Sequence, residues 1–151
     1  MKSITYAALI GVLLTSAAPV LGATETIRLA DTEFVMEVVA DPDSRRQGLM
    51  GREELPFGTG MLFDFPEGTR PAIWMRNMVI SLDLVFVAAD GRIAHLFPRV
   101  PPCADLPCAI YQADGPLRWV LELPAGTVDK LGLKVGDNLD LSVLPPQPPL
   151  T

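Results

Sequence analysis

The chain is short of the groups on which most enzyme and metal chemistry rests: it has one histidine, His95, and two cysteines, Cys103 and Cys108. A lone imidazole, with few serines and none in a Gly-x-Ser-x-Gly elbow, leaves no Ser-His nucleophile arrangement. Two thiols in one short loop fall short of a zinc ligand set, so no metal site and no cofactor is expected. Basic side chains are outnumbered, 12 against 18 acidic, for a net charge of −6. A negative surface repels phosphate backbones and anionic lipid heads, so nucleic acid is excluded as a partner. Nine of the 12 basic residues are arginine, the side chain suited to paired, planar contacts with carboxylates and rings.

Long apolar runs are also missing, except at the start. Met1 to Ala23 carries one charge at Lys2, an apolar stretch from Ile4 to Leu14, and small residues at Ala17, Ala18, Gly22 and Ala23. This is the layout of a secretory signal peptide, cleaved after Gly22 or Ala23. An uncleaved anchor is the competing reading, because no charge intervenes between Lys2 and Glu25; Thr15, Ser16 and Pro19 count against it. The expected organisation is therefore a signal peptide over 1–23, a single β-rich domain over 24–144, and a Pro-rich flexible tail over 145–151. Loss of Lys2 with the signal takes the remainder to −7. Its expected location is periplasmic or secreted, with no membrane span after cleavage, as a monomer or weak oligomer.

In an oxidising compartment, Cys103 and Cys108 in Pro101-Pro102-Cys103-Ala104-Asp105-Leu106-Pro107-Cys108 read as a local disulfide. A bridge closing so short a loop contributes about 2 kcal/mol on the chain-entropy picture. Its main effect is to shape the loop.

Elsewhere the pattern has a period of two. Thr26 to Ala30 and Glu33 to Ala40 read as a hairpin. Asp41-Pro42-Asp43-Ser44 supplies a helix cap and a proline at the first helical position, with Gly51 as the stop. Gly60 to Phe65 and Ala72 to Met75 read as strands joined by a turn-rich segment. Leu82 to Val87 and Arg92 to Phe97 flank Asp90-Gly91, a tight-hairpin signal that asks for positive φ at both turn positions. Trp119 to Leu123 is a further strand, Thr127 to Leu131 a helical turn ending at Gly132, and Asn138 to Val143 closes the domain. The expected fold is mostly β: a small antiparallel β-sandwich or partly closed barrel with one or two short helices.

The most unusual segment runs from Trp74 to Asp83, where polar, planar groups interrupt an apolar stretch. One reading makes Trp74, Arg76, Asn77 and Asp83 a ligand-binding pocket with a ring platform, an anion-binding fork and a carboxylate. The other is a buried Arg76–Asp83 pair that pins a turn, with Trp74 in the core. A hydrolase acting on an envelope polymer would pair Asp83 with a second carboxylate, Glu122 or Glu37, about 5 to 9 Å away. Both glutamates are equally explained by the solvent side of an alternating strand. Met36, Met50, Met61, Met75 and Met78 with His95 raise a copper(I) reading, against which core filling is the plainer role.

Several separated segments together resemble one family. They are Arg46-Gln47-Gly48-Leu49-Met50-Gly51-Arg52, Gly60-Met61-Leu62-Phe63, Trp74-Met75-Arg76-Asn77 with Leu82-Asp83, Val120-Leu121-Glu122-Leu123 with Ala125-Gly126, and Val135-Gly136-Asp137. In this order they resemble the domain of unknown function 192 family, from about Ile27 to Val143. The chain departs from that family's pattern at Arg76, Met78 and Ser81, where lysine, threonine and proline are typical. The resemblance implies a small, mostly β domain, commonly exported or lipid-anchored in bacteria and present in archaea, with no assigned activity. The resulting expectation is a binding module of the cell envelope, meeting an envelope ligand or protein, rather than an enzyme.

Overall fold

The computed structural model describes residues 23–146; the expected signal peptide up to Gly22 and the expected tail from Gln147 lie outside the described residues. The strands are β1 (Thr24–Leu29), β2 (Thr32–Val39), β3 (Thr59–Asp64), β4 (Ala72–Ile73), β5 (Leu82–Val87), β6 (Ile93–Val100), β7 (Tyr111–Gln112) and β8 (Trp119–Pro124). Two short helices join them, α1 (Pro42–Gln47) and α2 (Thr127–Leu131). Six strands form one sheet in the order β1-β2-β3-β8-β5-β6, and β4 pairs with β7 in a small second sheet. The protein is mostly β, as its alternation implies, but its main sheet stays open, with β1 and β6 as edges.

One pairing departs from the antiparallel expectation: β2 and β3 run parallel, with Val35 opposite Thr59 and Val39 opposite Phe63. Parallel neighbours need a crossover of a dozen or more residues to bring the chain back to the same end. Residues 40–58, with α1 among them, supply it. Asp41 caps α1 by accepting from the backbone N–H groups of Asp43 and Ser44, and Pro42 takes the first helical position. The helix ends at Gly48, three residues before the expected stop, because Gly48 leaves the helical region with φ +47°.

The hairpin between β5 and β6 also differs in detail. Gly91 has φ +86°, whereas Asp90 is not among the positive-φ residues, so the turn is not of the doubly left-handed kind. Ala88 accepts from Gly91 N–H and donates to the carbonyl of Arg92, the pattern of a longer loop closed by a left-handed glycine. β4 likewise pairs with β7 and not with its sequence neighbour β3. Asn138 to Val143 forms no strand; Asn138 makes an isolated bridge with Arg92, while Leu139 and Leu141 are buried.

Both faces of the sheet are covered. On one face Phe34, Met36, Leu62, Val85, Leu121 and Leu123 meet Val128 of α2 and the C-terminal Leu133, Leu139 and Leu141. On the other, Met61, Phe63, Leu82, Leu84, Phe86 and Val120 meet Leu49, Ile73, Met75 and Leu117 from the connections. Every position of β5 is accordingly buried, which explains its unbroken run Leu82-Asp83-Leu84-Val85-Phe86-Val87. Gly60 lets β3 lie close to β8: a Cβ there would sit 2.7 Å from the Glu122 backbone oxygen.

Asp83 is fully buried within that run. Its Oδ1 accepts from the backbone N–H groups of Arg99 (2.7 Å) and Gly126 (3.0 Å), and its Oδ2 from Val128 N–H (2.7 Å). Arg99 lies where the β5–β6 register slips between Leu82–Val100 and Leu84–Phe97, and it has φ +51°. Gly126 caps α2 without a side chain of its own. The carboxylate thus replaces a missing ladder acceptor and a missing helix cap at once. Asp83→Ala would leave three backbone donors, one buried and two half-buried, without partners, at about 1 to 3 kcal/mol each. Urea unfolding should show a loss of at least about 3 kcal/mol for Asp83→Ala and a smaller loss for Asp83→Asn, which keeps one acceptor. An unchanged unfolding midpoint for the alanine variant would remove this structural role.

Candidate functional site

A cavity of about 280 Å³ opens on the face of the sheet opposite Asp83. Its walls come from α1 and the turn after it (Arg45, Arg46, Gly48, Met50), from Phe63 and Phe65 in and after β3, from Ile73 and Trp74 at β4, and from Met78. Glu122 of β8 lies among them. Three of the segments that carry the family resemblance, 46–52, 74–77 and 120–123, therefore meet at this cavity, with Phe63 from a fourth.

Glu122 is 5% exposed, not on a solvent face, and its Oε2 has no hydrogen-bond partner. Desolvation pushes its pKa from an ordinary 4.5 up to about 8, so near neutrality it is mainly the uncharged acid, able both to donate and to accept. Gly48 keeps the approach to it open. At φ +47° this position favours glycine, and a Cβ there would lie 3.3 Å from Phe63 Cζ and 3.8 Å from Glu122 Oε2. Arg45 is held in the wall: it donates to the carbonyl oxygens of Ala40 and Asp64, and its guanidinium carbon lies 5.2 Å from the Phe65 ring centre. Arg46 is exposed and its nearest acidic neighbour, Asp43, is 3.5 Å away across solvent, an arrangement worth little.

The four candidates from the Trp74–Asp83 segment separate in space. Trp74 lines the cavity and is 43% exposed, so it is not a core residue. Arg76 does not pair with Asp83; its guanidinium carbon lies 5.9 Å from the Trp74 ring centre. Asn77 takes a left-handed turn position, φ +57°, which asparagine tolerates well. Its carbonyl accepts from Gly51 N–H at 3.1 Å, and its amide approaches Met50 Sδ at 3.8 Å, tying the Trp74 turn to the loop after α1. Asp83 lies elsewhere, against α2.

Paired carboxylates do not converge. Asp83 stands opposite Leu123 and Leu84 opposite Glu122, so the two acids project from opposite faces of the sheet. Glu37 forms a bidentate pair with Arg52, both contacts at 2.5 Å. Among the described residues no three His, Cys, Asp or Glu side chains gather as a metal site. Met36, Met61 and Met75 are buried in the two cores, and the His95 ring stacks on Phe97. The sequence offers Glu122 as a candidate second carboxylate and explains it equally by the solvent side of an alternating strand, which its burial rules out. Apolar residues at both parities of Trp119-Val120-Leu121-Glu122-Leu123 are the signal that both faces are buried.

Glu122 makes stability depend on pH. An acid with a higher pKa folded than unfolded holds its proton better when folded, so its contribution is intact below pH 4.5. That contribution is lost as pH rises towards 8 and levels off above, for a change on the order of 5 kcal/mol. Glu122→Gln should abolish this slope: relative to the variant, the wild type should lose at least about 3 kcal/mol in urea unfolding between about pH 5 and pH 8.5. Parallel pH profiles would mean that Glu122 ionises as freely folded as unfolded.

Comparison with known proteins agrees with this architecture. An archaeal "UPF0127 protein" from Thermococcus sibiricus (strain DSM 12597 / MM 739) is 27% identical over 122 residues, covering 80% of this chain and 68% of the relative. A solved structure from Sinorhizobium meliloti 1021, described as a candidate transcription regulator, is 38% identical with a TM-score of 0.76, covering 84% of this chain and 100% of that one. A protein of unknown function from Novosphingobium aromaticivorans DSM 12444 is 32% identical with a TM-score of 0.69, covering 83% and 91%. The profile of the DUF192 family, described as an uncharacterised ACR, matches residues 24–141. With that match spanning the whole sheet and all the segments that wall the cavity, the chain belongs to the DUF192 family.

Proposed function

We propose that the protein is an extracytoplasmic binding module whose ligand site is the cavity over Glu122, with Trp74 at its mouth. The observation that carries this reading is the buried Glu122 Oε2 left without a partner beside an open cavity. A buried polar atom without a partner costs free energy, and a ligand that satisfies it recovers that cost on binding. Concave shape, ring and thioether walls and one perturbed carboxyl are the usual marks of a small-molecule site.

The location rests on the signal-like start and on the disulfide between Cys103 and Cys108. No helix among the described residues is long and apolar enough to cross a membrane. A regulator of transcription, the description given to the Sinorhizobium relative, finds less support in this chain. Its net charge is −6, and its described helices have six and five residues, too short for the usual groove-reading helix.

Trp74 and Arg46 are exposed, so alanine at either should change stability by no more than about 0.5 kcal/mol. Thermal-shift screening of glycans, peptides and small acids should find compounds that raise the wild-type midpoint and lose that effect in Trp74→Ala and Arg46→Ala. A response undiminished in both variants would put the ligand elsewhere. For location, intact-mass measurement of the periplasmic fraction of an expressing host should find a chain beginning at Ala23 or Thr24 with two hydrogens fewer than the reduced form. Full-length reduced protein confined to the cytosol would refute export.

A further inference from the structure

We infer that the ligand of the Glu122 cavity is a small organic acid bound as its anion, with a flat or branched apolar body, its carboxylate-type group received by Arg46 and by the Glu122 carboxyl as hydrogen-bond donor. This rests on the binding reading above and specifies its ligand class. The charged side chains on the cavity wall are Arg45, Arg46 and Glu122. With Glu122 uncharged, the wall carries two guanidinium groups and no carboxylate, a local positive site in a chain of net charge −6. A ligand anion is the charge that such a wall lacks.

The two arginines are not equivalent. Arg45 is committed to two carbonyl oxygens and the Phe65 ring. Arg46 has only its solvent-exposed approach to Asp43, so its fork is available for a carboxylate, which it matches in geometry. Glu122 supplies the second contact. As a carboxylic acid its O–H can donate to the incoming anion, a charge-assisted bond, and its unpartnered Oε2 gains a partner. Phe63 and Trp74 offer faces for the apolar part, and a cavity of about 280 Å³ suits a ligand of roughly one ring.

A cationic ligand fits less well. It would have to expel the Glu122 proton, at about a tenfold cost in affinity near pH 7, and would then face two guanidinium groups. A guanidinium group is not deprotonated in the accessible pH range. The strand neighbours of Glu122, Met61 and Leu84, do not titrate, so Glu122 is the group on this wall that changes charge between about pH 6 and pH 9.

Benzoate, benzamide and benzylamine share one ring and differ in charge, and they discriminate these cases. Titration of each into the ¹⁵N-labelled full chain, followed through amide and indole signals of the cavity wall, should show benzoate binding tightest at about pH 6. Its affinity should fall about tenfold by pH 9, as Glu122 ionises. In Glu122→Gln, which keeps a donor without a charge, benzoate affinity should be equal at both pH values. In Arg46→Ala it should fall at least fivefold at both, an effect on the scale of one charged hydrogen bond. Preference for benzylamine or benzamide at pH 6 would overturn the anion assignment and leave the cavity as a binding site. No shift of any cavity signal with all three probes up to about 10 mM, a range in which one-ring ligands are detectable, would overturn both readings.

Discussion

The structure depends on the burial of both faces of the β5–β8 ladder. Strands in the middle of a sheet covered on two sides have no solvent-facing position, so any charged residue in them must be given partners or remain uncharged. β5 and β8 each carry one acid, and the two meet the constraint in opposite ways. Asp83 keeps three backbone N–H partners and serves as a knot between β5, the irregular end of β6 and the start of α2. Glu122 has no partner at Oε2, and desolvation holds it near neutrality as the acid. Similar chemistry on adjacent strands thus gives one carboxyl tied into the backbone and one left unpartnered at Oε2, separated by a single step of register.

Much of the fold was legible because local rules agreed with one another. The β1–β2 hairpin, the Asp41–Pro42 start of α1, the β5–β6 pair and the Gly132 end of α2 all follow from capping, turn chemistry and alternation. The misreadings arise where a distant element decides. Nothing local marks β2 and β3 as parallel neighbours, since their pairing is set by how residues 40–58 fold back. β4 is a strand only because β7 reaches it. The end of α1 at Gly48, and not at Gly51, reflects the need for a side chain-free position beside Phe63.

The site was half legible for the same reason. Polar groups within an apolar run draw attention to Trp74–Asp83, and of that segment's four candidates Trp74 lines the cavity. Pairing Arg76 with Asp83 rested on their nearness in sequence, whereas strand direction sends them apart and backbone donors from β6 and α2 take the carboxylate. Glu122 stands in the sequence as a candidate second carboxylate, with the solvent side of an alternating strand as the equal alternative. Recognising its burial needs one further step: with Trp119, Leu121 and Leu123 at one parity and Val120 at the other, the strand carries an apolar residue on each face. Arg46, Gly48 and Met50 reach the cavity only through the fold of the α1 crossover, so no spacing rule connects them to residue 122.

The order of the strands has a consequence for how the molecule is made. At the centre of the sheet β3 is flanked by β2, close in sequence, and by β8, some sixty residues downstream. Synthesis from the N-terminus therefore yields the β1-β2-β3 group and the β5–β6 hairpin as separate pieces, each with an unfinished edge, until Trp119–Pro124 has emerged. Only then do the two cores close, because Val120 fills one and Leu121 the other. Such a reliance on late, long-range contacts makes folding slow relative to helical proteins of this length. The two groups of strands are thus joined into one sheet only by β8.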